Sequence, residues 1–175
     1  EQLPADGPLP REGMLQFFAG RGDSFGADWG GDTTRGFQVV WHKRLDPGLT
    51  AEQLAPLNIP THADMDYWPV MTSAAVTLER DTSWMGPEDG RFDALFAQVW
   101  EEVTGQPPEA EDFRDFLEES DRDYLYEQLF TCGHRLLGYP YFTQFDPREE
   151  DSPYDTLLLQ LDSDWTETET YIMWA

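Results

Sequence analysis

The sequence predicts an α+β fold, mainly antiparallel sheet with a central helical block. Two observations carry this. Short apolar runs bounded by glycine or by turn residues lie near both ends of the chain, while in the middle the apolar residues recur at helical spacing. A third, fainter one adds a degenerate internal repeat: MLQFF followed by FQVVW is echoed by LLLQLDSD followed by YIMW.

The elements follow in chain order. MLQFFA (14–19), set between Gly13 and Gly20, predicts a buried strand, and the Gly- and Asp-rich stretch 20–36 a loop. FQVVWHK (37–43) predicts the next strand. LDPGL then turns the chain into a short helix, TAEQLAPL, with Thr50 as its N-cap. TSAAVTLER (72–80) predicts a third strand. In 91–105, Phe92, Leu95, Phe96, Val99 and Val103 share one helical face and Gly105 supplies the stop. QPPEAEDFRDFLEES (106–120) opens on two prolines suited to a helix start and predicts a second helix with Phe113, Phe116 and Leu117 on one face; DRDYLYEQLF adds further turns from Asp121. Residues 155–164 and 170–175 predict the closing strands. The last of these stops at its tryptophan, so the chain is expected to lack residues at one or both ends.

Charge narrows the function. Asp and Glu number 35 against 11 Lys and Arg, Lys43 being the sole lysine, for a net charge of −24. Such a surface repels itself but steers cationic partners inward. Direct nucleic-acid binding is disfavoured, because it rests on basic residues releasing counterions, and anionic membranes are disfavoured likewise. The single cysteine, Cys132, excludes an internal disulfide framework. No apolar run reaches the roughly 20 residues of a membrane span, and the opening EQLPADGPLP lacks the regions of a signal peptide, so the cytoplasm is the expected compartment.

Candidate chemistry is sparse. Cys132 and His134 are close enough in sequence for a nucleophile pair, but a structural His134 hydrogen-bonded near a turn is the better expectation. His62, Asp64 and Asp66 alternate as strand-borne metal ligands would, yet in so acidic a chain that spacing arises by chance. The glycine-rich stretches lack the lysine of a phosphate loop. With no catalytic, cofactor or metal residues to name, the expectation is a binding protein. Its contact surface is placed on 109–123, where Glu111, Asp115 and Glu118, and Asp112 with Glu119, recur at helical spacing beside Glu109, Asp121 and Asp123. The acidic stretches Glu149–Asp151 and Asp162–Glu169 are second choices.

A set of ordered segments then carries a resemblance. HRLLGYP, with His134, Gly138, Tyr139 and Pro140, is followed by QFDPR, with Gln144 and Asp146, by LLLQLDSD (157–164) and by a strand ending in Trp174. Together with LPREGMLQFF, which ends at Phe18, they resemble the YwqG-like family of bacterial domains of unknown function across most of the chain. Family members usually carry an upstream Gly- and Pro-rich strand region, and a Gly-Asp-x-Gly turn and an aromatic strand after the final tryptophan. Here only Ala175 follows Trp174. The residues themselves read as scaffold: Gly138 frees the backbone, Pro140 fixes φ, the aromatics pack, and Gln144 and Asp146 bond turn amides. The resemblance implies one YwqG-like domain over 1–175 and a role in toxin–antitoxin competition. That is an immunity protein neutralising a secreted toxin, a nuclease domain being the partner a polyanion fits. A small-molecule or peptide binding module is the alternative.

Overall fold

The computed structural model describes residues 7–20, 25, 36–57, 68–149, 152–166 and 169–174. The chain divides into two compact units, Glu1–Glu79 and Arg80–Ala175. The class is α+β: two two-stranded antiparallel sheets and several helices among the described residues.

In the first unit, β1 (Met14–Ala19) pairs antiparallel with β2 (Phe37–His42), from Met14 opposite His42 to Ala19 opposite Phe37. Because side chains alternate across a strand, this register gathers Leu15, Phe17, Ala19, Phe37, Val39 and Trp41 on one wholly apolar face. Gly13 opens the hairpin at φ 101°, where an added Cβ would run into the His42 carbonyl. The indole N–H of Trp41 donates to the Glu12 carbonyl at 3.0 Å. Thr50 caps α1 (Ala51–Leu54) as expected, in a reciprocal capping box with Gln53, and a 3-10 turn over Ala55–Leu57 ends it. Residues 72–80 form no strand. Their β-branched composition finds no strand to bond among the described residues, and Val76 stays 78% exposed.

In the second unit, α2 (Phe92–Thr104) ends where expected, on Gly105 at φ 76°, whose N–H closes on the Glu101 carbonyl. The face it buries differs from the expected one. Phe92, Phe96 and Trp100 turn inward, while Leu95, Val99 and Val103 remain exposed. Rings decide this, being the largest apolar payload on the helix and having rings to meet. Phe92 meets Phe113 edge-on at 5.0 Å and Trp100 meets Phe116 at 4.6 Å.

The acidic stretch is not one continuous helix. Residues 106–112 are irregular, α3 (Phe113–Phe116) is a single turn, and Leu117 and Glu118 are extended before α4 (Glu119–Leu129) begins. Asp112 sets the first break by capping α3 through the Arg114 N–H. The Asp93 carboxylate of α2 receives the Phe113 N–H at 3.0 Å, which pins Phe113 into the ring cluster at 1% exposure.

The closing strands shrink. Of 155–164 only Asp164 lies in a strand, β3 (Asp164–Trp165), which pairs antiparallel with β4 (Thr170–Ile172). Gln160 makes an isolated antiparallel bridge with Arg135 instead. The LLLQ segment therefore has no strand counterpart to β1. No helix among the described residues is long and apolar enough to cross a membrane.

Candidate functional site

The second unit's polar architecture rests on a motif repeated three times: Asp89-Gly90-Arg91, Asp112-Phe113-Arg114 and Asp146-Pro147-Arg148. In each, the Asp Oδ1 accepts both the backbone N–H and the Nε–H of the arginine two residues on, at 2.8 to 3.1 Å. An aspartate folding back on an amide two residues later is an ordinary turn device. The arginine side chain adds a charge-assisted bond in the same plane.

Two of the triplets interlock. Arg148 bonds Asp146 at 2.6 Å and reaches Asp89 at 3.0 Å, while Asp89 also takes Arg91 at 2.7 Å. Asp146 accepts the Gly90 N–H, and the Asp146 N–H donates to the Glu88 carbonyl. The turn 86–91 and the turn 146–148 are thereby sewn together. Burial alone would raise the Asp89 carboxyl, but Arg91 and then Arg148 outweigh it and hold it below the usual carboxylate range. Asp146 is lowered against the same burial cost by Arg148 and the Gly90 amide. Arg148 in turn is raised, first by its bond to Asp146.

Beside this clamp lies a cavity of about 230 Å³. Its walls come from the turn at Gly86–Asp89, from Tyr126, Leu129 and Phe130 at the end of α4, and from the segment Pro140–Thr143. Phe130 and Tyr141 stand edge to face at 5.3 Å, and the Tyr126 hydroxyl donates to Glu88 Oε1 at 2.9 Å.

The signature residues hold this frame. Gly138, at φ 79°, sits where an added Cβ would meet the Ser83 side chain, and Ser83 Oγ receives the Tyr139 N–H. Tyr139 lies under Arg91, with the guanidinium 5.9 Å from the ring centre, and Pro140 lines the cavity. His134 accepts the Asp162 N–H on Nδ1, so its proton is on Nε2, which faces Asp164 at 3.3 Å. Both ring nitrogens are spent on structure, and Cys132 is free and exposed. The Trp174 N–H donates to Ser163 Oγ. Asp146 does what was expected of it, but Gln144 is exposed and bonds no described amide. That role falls to Gln160, which takes the Tyr141 N–H and donates to the Gly133 carbonyl. Arg135 is a second unforeseen anchor, capping the carbonyls of Thr131, Cys132 and Tyr139.

The acidic stretch presents its charge outward. Glu109, Glu111, Asp115, Glu118, Glu119, Asp121 and Asp123 are exposed, and none makes an ion pair with a described residue. Asp112 is half-buried and pairs with Arg114 at 2.9 Å. Glu119 and Asp121 sit in the first turn of α4, where the helix dipole favours them. Asp115 sits in the single turn of α3 and Glu118 is the N-cap residue of α4, though its side chain bonds no amide there; Glu109, Glu111 and Asp123 have no such helix-start position. Because the helix is interrupted, these acids are spread over an irregular segment, a single turn and a second helix, not along one face. His62, Asp64 and Asp66 lie outside the described residues, as do Glu150, Asp151 and Glu167 of the second-choice stretches. Among the described residues no group of three His, Cys, Asp or Glu side chains is placed to hold a metal ion.

A family model described as a domain of unknown function, DUF1963, matches residues 1–175, and the chain belongs to that family. No curated protein matches it.

Proposed function

We propose that this DUF1963 member is a YwqG-like immunity protein: a cytoplasmic, non-enzymatic antitoxin, needing no cofactor, that binds and neutralises a secreted toxin through its acidic surface. The partner is a basic protein, a nuclease domain, whose substrate groove is built to receive a polyanion. The observation that carries this reading is the stretch 109–123, where seven exposed carboxylates go unneutralised by any described residue. Ion pairs elsewhere in the unit show that this chain has arginines to spend and spends them on turns, leaving these acids for solvent or a partner. Complementary charge of that kind raises the association rate and selects the partner more than it sets the affinity. The resemblance supplies the biological setting and the net charge of −24 supplies the field.

Affinity capture from the source cell's lysate at low and moderate salt tests it, with bound proteins identified by mass spectrometry. Recovery of one basic, toxin-like protein, weakened by salt, is the expected result. Neutralising Glu109, Glu111 and Glu118 to Gln, which breaks no side-chain cap bond or ion pair with a described residue, should then slow its association by about tenfold. Recovery of nothing from a lysate shown to contain the neighbouring toxin overturns the reading. An unchanged rate in the triple variant moves the contact surface elsewhere.

A further inference from the structure

We infer that the cavity between the 86–89 turn, the end of α4 and the segment 140–143 is a binding site for a small organic cation, an alkylammonium or alkylguanidinium group. This goes beyond the antitoxin reading and does not need it.

The walls set the ligand class. Tyr126, Leu129, Phe130, Pro140, Tyr141 and Phe142 are apolar or aromatic, and no arginine, lysine or histidine lines the cavity. Two acids do. Asp89 is unavailable, its carboxylate fully buried against Arg91 and Arg148. Glu88 remains: Tyr126 holds one carboxylate oxygen at 2.9 Å, and the other oxygen has no hydrogen-bond partner among the described residues. Arg114 feels the charges of Glu88 and Tyr126 and lowers the Tyr126 phenol in return, but its Nε is tied to Asp112 and its guanidinium lies over Phe113, outside the lining. A carboxylate fixed by a tyrosine amid several aromatic rings is the chemistry that recognises an ammonium or guanidinium, through ring faces and one ion pair.

Size sets the scale. About 230 Å³ falls below the roughly 300–1,000 Å³ of pockets for drug-sized ligands and above the about 150 Å³ that admits benzene. A cationic head group with a short alkyl stem fills it, whether free in solution or borne on a lysine or arginine side chain. The molecule's own cations already use rings this way: Arg148 lies 5.3 Å from the centre of Phe142 and Lys43 5.1 Å from that of Trp41. Phe142 is thus partly engaged, which leaves Tyr126, Phe130 and Tyr141 as lining rings with no cation of a described residue over their faces. Burial raises the phenols of Tyr126 and Tyr141; at Tyr126 the bond to Glu88 and its charge come next, against Arg114, and at Tyr141 the charges of Cys132 and Asp162 come before that of Glu88.

Titration of the full chain with tetramethylammonium and with ethylguanidinium, followed by amide chemical shifts, tests the site; neopentyl alcohol serves as the neutral isostere. Saturable shifts at Gly86, Tyr126 and Tyr141 with a cation, absent with the alcohol, are expected. Glu88→Gln keeps the Tyr126 bond, since the amide oxygen also accepts, and alters a net charge of −24 by one, so diffuse attraction of cations persists. It should weaken binding about tenfold or more, and Tyr141→Leu, which keeps bulk but removes the ring, several-fold. The Glu109, Glu111 and Glu118 triple variant should bind the cations as the parent does, which separates this site from the acidic surface. N-acetyl-arginine N-methylamide binding more tightly than ethylguanidinium identifies a polypeptide side chain as the source; the reverse order identifies a free metabolite. No saturable shift at these amides overturns the proposal, and so does an equal response from Glu88→Gln or from the alcohol.

Discussion

The two layers of the second unit are held by different forces. The helical block packs rings: Phe113 touches Phe92, Phe96 and Tyr126 and is 1% exposed. The adjoining turns have almost no apolar interior and are held by two interlocked Asp-x-Arg triplets, in which the Asp89 side chain is 0% and that of Asp146 6% exposed. Packed phenyl and indole rings do not titrate between pH 4 and 8, whereas these arginine-paired carboxylates keep their ion pairs only while ionised. The cavity lies where these layers meet, taking Tyr126 and Leu129 from one and Glu88 and Pro140 from the other. Its shape therefore depends on both.

The largest effect should come from the ring layer. Phe113→Ala truncates the largest fully buried side chain among the described residues and leaves a cavity that a single-turn helix cannot collapse into. The expected loss is about 3–5 kcal/mol in a urea unfolding series. The loss should persist across pH 4 to 8. A strongly pH-dependent loss would mean that the ring cluster and the turn clamp are not separable layers.

Asp89→Asn comes next. It preserves volume but presents an amide N–H to Arg91 or Arg148, leaving a guanidinium without its counter-charge, at a cost of about 3 kcal/mol at neutral pH. The sign of the pH dependence follows from the lowered carboxyls. Groups whose folded value lies below the ordinary value of about 3.9 contribute stability that is present above pH 4 and lost as pH falls through the folded value. Acid below pH 4 should therefore loosen the parent's turns before its helices. In Asp89→Asn that acid limb should flatten, checked by near-ultraviolet and far-ultraviolet dichroism across pH 2 to 7. An equally steep limb in the variant would assign the acid sensitivity to other carboxylates.

What the sequence disclosed follows the same division. Local devices were legible: the Thr50 cap, the Gly105 stop, the left-handed Gly138 and the turn-bonding Asp146 each need only a few neighbouring residues. Facing and pairing were not. The helical spacing of Leu95, Val99 and Val103 is as regular as that of Phe92, Phe96 and Trp100, and only the partner rings of α3 decide between them. Residues 72–80 have strand composition but find no strand to bond among the described residues. Asp89 was hidden among 35 acids, yet a signal existed on the basic side. Arginine is scarce here, and three of the arginines follow an aspartate by two residues with the same bond set. Reading from the rarer charge would have found the clamp. Glu88 offered no such signal, because its surroundings come from residues some 40 to 50 positions away.

The third triplet sharpens the comparison, since it repeats the local geometry without the burial. Asp112 bonds the Arg114 amide and Nε as its two counterparts do, but its side chain is 39% exposed and that of Arg114 44%. Water can replace the ion pair there, so Asp112→Ala should cost only what an N-cap costs, about 1 kcal/mol. Raising salt to 1 M should leave that figure nearly unchanged, because the cap is a hydrogen bond to an amide and the exposed pair is already screened. A loss approaching that of Asp89→Asn would mean that the bond set itself carries the energy. A small loss would show that burial does, with the interlock at Arg148 turning a common turn motif into a clamp.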